Sequence, residues 1–132
     1  HEDGMFLYPG TGGEEERGKG EAEGAKLNIP MQPGAGDRQF IEEWERVVDF
    51  LARHQPEFII FQCGADSLAG DPLAHLKYSP AAHAHAARSL CQLANEMAQG
   101  RIMGFGGGGY NRGNLALAWN AVLKEFIQGS ER

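Results

Sequence analysis

Glu57-Phe58-Ile59-Ile60-Phe61-Gln62-Cys63 is a short apolar, β-branched and aromatic run, bounded by Pro56 and Gly64 and followed at once by Ala65-Asp66. A run of this kind predicts a strand buried on both faces, as in a parallel sheet. Arg101 to Phe105 predicts a second short strand, which runs into Gly106-Gly107-Gly108-Gly109. Between the two, Ser79 caps a helix with Pro80 at its first position, and Ala82, Ala86, Leu90, Leu93 and Met97 mark its buried face. Upstream, Asp37 is placed to cap a helix reaching about His54. Its apolar stripe is Phe40, Ile41, Trp44, Val47, Val48 and Leu51, and Trp44 is expected in the core. A last helix starts near Asn114. Lys26-Leu27-Asn28-Ile29 alternates polar with apolar before Pro30 and predicts one more short strand. The order is then β, α, β, α, β, α, which implies an α/β fold with a parallel sheet flanked by helices. In such sheets ligands bind beyond the carboxyl ends of the strands. The loops 64–78 and 106–113 lie there.

Composition narrows the function classes. The chain has 132 residues, 42% hydrophobic and 23% charged, which is ordinary globular usage. Nineteen residues are glycine, about twice the usual share of ~7%. Nine of them fall within residues 1–37, a mostly looped segment whose charged stretch from Glu14 to Glu23 has no apolar period. A formal net charge of −6 argues against nucleic-acid or anionic-membrane binding, and no apolar run is long enough to span a bilayer. Cys63 and Cys91 form no CxxC pair and no disulfide framework, so a reducing, cytoplasmic setting is expected. The chain opens at His1, directly in a Gly/Pro-rich loop with no initiator methionine or signal sequence, which reads as a fragment.

Several residues carry chemistry. Asp66, just past a parallel strand, suits a metal ligand or a base, though on position alone a turn cap is the favoured reading. Asp71 before Pro72 leans toward turn chemistry. The four glycines allow close backbone approach but match neither GxGxxG nor GxxxxGK[ST]. Tyr110 ends that run, where its hydroxyl could serve a developing oxyanion or simply pack at a sheet edge. His83 and His85 are two apart on a helix and point to different faces. His54 suits a helix C-terminus. His75 shares a loop with Asp66 and reads as a surface histidine before a metal ligand. Cys63 reads as a small buried apolar residue.

Gln62 to Leu76 (QCGADSLAGDPLAHL) and Gly106 to Trp119 (GGGGYNRGNLALAW) closely resemble the zinc-dependent deacetylases of the histone deacetylase superfamily. Tyr8-Pro9-Gly10-Thr11-Gly12 and Leu27-Asn28-Ile29-Pro30 match the same family in the same order, so the resemblance spans His1 to about Ile127. The wording looks most like the bacterial acetoin-utilisation deacetylase branch, with acetylpolyamine amidohydrolases as relatives. The resemblance implies an α/β arginase–deacetylase fold and amide hydrolysis with zinc. It places a zinc ligand on Asp66 and the catalytic tyrosine on Tyr110. It places tunnel and rim positions on Tyr8 and Leu73, and a glycine of the tunnel floor on Gly108. Some relatives with histidine at the tyrosine position deacetylate poorly, so Tyr110 implies the competent branch.

The family's tandem histidines and its Asp-x-His zinc ligands lie N-terminal to His1. The resemblance therefore implies that residues 1–132 are the C-terminal part of one deacetylase domain, inactive alone and holding no zinc alone. Expected substrates of the parent are acetyl-lysine or a small acetylated amine. The alternatives are an acetylpolyamine amidohydrolase parent and a non-catalytic association module. Exposed sheet or helix faces are expected to form homo-oligomers.

Overall fold

Ile59–Gln62 forms strand β1 and Ile102–Phe105 forms strand β2, paired in parallel with Ile59 opposite Ile102 and Gln62 opposite Phe105. This computed structural model describes residues 1–130. A parallel pair needs a crossover connection, and here it contains helix α2, Pro80–Met97. Helix α1, Asp37–His54, precedes β1, and helix α3, Arg112–Ser130, follows β2. No described helix is long and apolar enough to cross a membrane.

The helix ends follow from local chemistry. Ser79 Oγ accepts the Ala81 N–H at 3.1 Å, and Pro80 opens α2 as expected. Asp37 does not cap α1. Gly36 holds the cap position, with its N–H donating to Gln39 Oε1 at 3.2 Å. The Asp37 carboxylate instead accepts the Ser79 N–H at 2.7 Å and the Ser79 hydroxyl at 2.5 Å. One carboxylate thus ties the start of α1 to the start of α2 while favouring the positive end of the α1 dipole. Helix α3 starts two residues before Asn114, because Asn111 Oδ1 caps the Asn114 N–H at 3.1 Å.

The core lies on one side of the sheet. Ile59 packs with Leu90, Leu93, Ala94 and Ala98, and Trp44, Val48 and Leu51 of α1 close over this cluster. Cys63, Ala87 and Val122 form the next layer, with Phe61, Trp119 and Phe126 against it. Helix α2 is central and packs against both α1 and α3. Trp44 is core as expected, and its indole N–H donates to Ser89 Oγ at 2.6 Å.

Two further expectations fail. Lys26–Ile29 is not a strand: no described strand runs beside it, and the Asn28 amide instead donates to the carbonyls of Gly13 and Glu16, at 3.0 Å each. Nor is β1 buried on both faces. Ile59 is buried, but Ile60 is 69% exposed, and Phe58, Met103 and Phe105 are exposed with it. The run is apolar on both sides, yet the described helices cover only one. Leu115, Leu117, Leu123 and Ile127 of α3 are likewise exposed.

Candidate functional site

The ends of the two strands interlock. Beyond the ladder, Cys63 N–H donates to Phe105 O at 2.8 Å, Gln62 Nε2 to Gly107 O at 2.5 Å, and Ala65 N–H to Gly108 O at 3.1 Å. A Cβ at Gly64 would run into the Gly107 carbonyl oxygen. At Gly108, with φ +77°, it would run into the Asp66 carboxylate. The glycine run therefore serves close packing of two turns, one carrying a left-handed backbone that disfavours any side chain.

Asp66 stands at the centre of this interlock. Its carboxylate is half-buried and accepts no hydrogen bond among the described residues. It lines a cavity of about 460 Å³ whose wall also includes Tyr8, Phe40, Trp44, Gln62, Gly64 and His83. His83 is buried, and its Nε2 lies 2.9 Å from Gly64 O. A carbonyl only accepts, so Nε2 carries the proton. Burial pulls the His83 imidazole below its ordinary pKa, against the opposing pull of the Gly64 carbonyl and the charges of Asp66 and Asp37. The Cys63 thiol is pushed up to about 11 by burial. The Tyr78 phenol is pushed up to about 12 by burial and then by the charge of Asp37.

Of the residues that the sequence singles out, Asp66, Gly108 and Tyr8 come together. Gly108 touches Asp66, and Tyr8, 93% exposed, stands at the cavity with it. Tyr110 follows Gly109, where an added Cβ would run into the Asp66 backbone nitrogen, but Tyr110 is 84% exposed and is not part of the cavity wall. Its exposure shows no packing at a sheet edge among the described residues. Leu73 is also exposed and outside the wall, on a turn where Asp71 Oδ2 accepts the Leu73 and Ala74 N–H groups at 2.9 and 2.8 Å. Asp71 is turn chemistry, as expected. His75 turns to Glu2, donating its backbone N–H to Oε2 at 2.8 Å, with its Nδ1 2.6 Å from Oε1. His54 Nδ1 lies 2.8 Å from Phe50 O, at the end of α1.

Catalytic zinc takes three protein ligands and keeps one open position. Among the described residues, no group of three or more His, Cys, Asp or Glu side chains could hold a metal. Asp66 fits as one donor: it is anionic, partly shielded and not engaged elsewhere. Gln62 and His83 are the residues that sequence reasoning missed. Both serve the backbone around Asp66. The signal for His83 was its place in line with Ala87 and Leu90 on the apolar face of α2.

The histone deacetylase domain family matches residues 1–126 of the chain. The chain is 38% identical over 136 residues to histone deacetylase 14, chloroplastic, of Arabidopsis thaliana, covering 99% of this chain and 32% of that protein. It is 36% identical over 128 residues to the acetoin utilization protein AcuC of Bacillus subtilis (strain 168), covering 96% and 33%. Among solved structures, the HDA15 HD domain superposes with a TM-score of 0.87 at 30% identity, covering 96% of this chain and 35% of that one. The acetylpolyamine aminohydrolase from Burkholderia pseudomallei superposes with a TM-score of 0.77 at 25% identity, covering 98% and 35%. The chain spans about a third of the length of these relatives.

Proposed function

The chain belongs to the histone deacetylase family and has its α/β arginase–deacetylase fold, and from that premise we propose that it is the C-terminal part of a zinc-dependent deacetylase domain. The observation that carries this is the Asp66 carboxylate, held at the end of a parallel strand by the interlocked turns and accepting no hydrogen bond among the described residues. Asp66 supplies one anionic zinc donor. The other donors, and the base for the attacking water, belong to sequence outside these residues. When bound, zinc polarises an amide carbonyl and activates water. The Tyr110 phenol donates a hydrogen bond to the carbonyl oxygen as negative charge develops there. Its exposure in this chain fits a group that finds its partner only in the substrate complex. Tyr8 and Leu73 shape the rim of the acyl tunnel, and Gly108 leaves its floor clear beside Asp66.

The substrate of the complete domain is acetyl-lysine or a small acetylated amine. Higher identity to the deacetylases than to the acetylpolyamine aminohydrolase favours acetyl-lysine. The uncovered side of the sheet supports the partial-domain reading, since parallel sheets are buried on both faces. Two free, buried thiols fit a reducing cytoplasm.

In the full-length protein, Asp66→Ala should lose zinc. Tyr110→Phe should keep zinc and lose about 10²–10³-fold in deacetylation rate, as removal of an oxyanion donor does. The chain alone should carry no zinc through gel filtration and hydrolyse no acetyl-lysine. Unchanged zinc content in Asp66→Ala, or native turnover in Tyr110→Phe, would overturn the assignment of that residue.

A further inference from the structure

We infer that His83, on the first turn of α2, is a positioning residue that aims the Asp66 carboxylate by holding the Gly64 carbonyl. This rests on the zinc-ligand role proposed for Asp66. His83 is the one buried histidine among the described residues. Its Nε2–H reaches Gly64 O at 2.9 Å, two residues before Asp66 in the chain. The turn from Gly64 to Asp66 is otherwise fixed on its far side, where Ala65 N–H reaches Gly108 O at 3.1 Å and Gly64 lies hard against Gly107. His83 supplies the near side. It can do so because α2 is anchored at its start, with Asp37 accepting both the N–H and the hydroxyl of Ser79.

Without the imidazole, the peptide between Gly64 and Ala65 would keep its Ala65 N–H bond to Gly108 O but lose the hold on its carbonyl, so it could tilt about that remaining anchor. Asp66 tilts with it, because no hydrogen bond among the described residues holds its own carboxylate. A core-filling role would need only the ring's volume. A positioning role needs the donor at Nε2. Groups in the shell outside a metal's ligands typically change metal affinity about 10- to 100-fold when lost.

The experiment uses the full-length protein loaded with zinc, with zinc affinity read by chelator competition and the thermal midpoint of the zinc-free form as the packing control. His83→Phe keeps the volume and removes the donor; His83→Gln keeps a donor of similar reach; His83→Asn keeps an amide too short to reach. The expected result is zinc affinity about 10- to 100-fold weaker in His83→Phe and His83→Asn, with His83→Gln near the native value. If His83→Phe does not fold, the contrast between Gln and Asn decides. Native affinity in His83→Phe or in His83→Asn would overturn the inference, as would equal losses in Gln and Asn. A native protein that holds no zinc, or an Asp66→Ala variant that keeps it, would refute the metal reading itself. Zinc lost in Asp66→Ala but unaffected by the His83 changes would refute only the positioning role.

Discussion

Gly64→Ala tests the interlock of the two strand ends. The backbone at Gly64 has no positive φ, so any L-residue could adopt it and only space decides the outcome. A Cβ there would meet the Gly107 carbonyl oxygen and lie 2.9 Å from its carbon. Restoring ordinary contact requires the two backbones to part by about 1 Å or more. That movement stretches the Gln62 Nε2 bond to Gly107 O and the Ala65 N–H bond to Gly108 O. Each bond contributes about 0.5–1.5 kcal/mol net, and an unpaired buried N–H costs about 1–3 kcal/mol. Ala65 is fully buried, so its N–H has no water to turn to. The expected loss is about 2–4 kcal/mol. With a urea m-value of about 2 kcal/mol per molar, the middle of the usual range, the midpoint should fall by about 1–2 M. Gly34→Ala is the control: its φ is +84° and a Cβ there meets open space, so only left-handed strain remains, about 1–2 kcal/mol. A loss in Gly64→Ala no larger than in Gly34→Ala would mean that the turns are loosely apposed and do not fix Asp66.

Two further outcomes follow from burial. The Cys63 thiol and the Tyr78 phenol titrate near 11 and 12 in the fold, against ordinary values of 9.0 and 10.0. Both groups hold their protons more tightly when folded, so their contribution is complete below pH 9 and is lost as pH rises toward those folded values. The urea midpoint should drop between pH 9 and 11, with a shallower drop in Cys63→Ala; a midpoint constant to pH 11 in the native chain would contradict the burial of both groups. The exposed face of Ile60, Met103 and Phe105 should bring copies of the isolated chain together, and Ile60→Lys should return them to monomer in sedimentation velocity. A native chain that sediments as a monomer would show that this face does not drive association.

Much of the fold was legible because several elements are specified locally. Ser79-Pro80 marks a helix start that needs no tertiary partner, and the apolar run at Ile59 is too short for a helix, rich in β-branched and aromatic residues and bounded by Pro56 and Gly64, which favours a strand. What failed depended on neighbours. Alternation at Lys26–Ile29 reports strand propensity but cannot report that no strand lies alongside. The same limit applies to burial: Phe58 and Ile60 are as apolar as Ile59 and Phe61, but the described helices cover one side. At the site, the place of Asp66 just past a strand was legible, while its proposed ligand role came from the resemblance and not from that place. Tyr110 and Leu73 were legible as positions, though not that their side chains stand clear of the cavity. His83 was legible only as a position in line with Ala87 and Leu90 on the apolar face of α2; its bond to the Gly64 carbonyl depends on how α2 meets the strand end, which the sequence does not state.

The two incomplete features of the chain lie on the same small sheet and have a common remedy. On the proposed reading Asp66 supplies one donor where a catalytic zinc site takes three, and the described helices cover one side of the β1–β2 sheet where a parallel sheet takes two. On the proposed reading, the sequence that completes the ligand set also belongs to the same sheet, so docking it buries the Ile60 face and assembles the site in one event. Metal binding then stabilises the complete domain rather than this part of it, because the affinity exists only where both parts meet. The interlock of Gly64 with Gly107 and Gly108 has a clear purpose in that scheme. It prepares one rigid corner of the site before the other donors arrive, which lowers the ordering cost of capturing the ion.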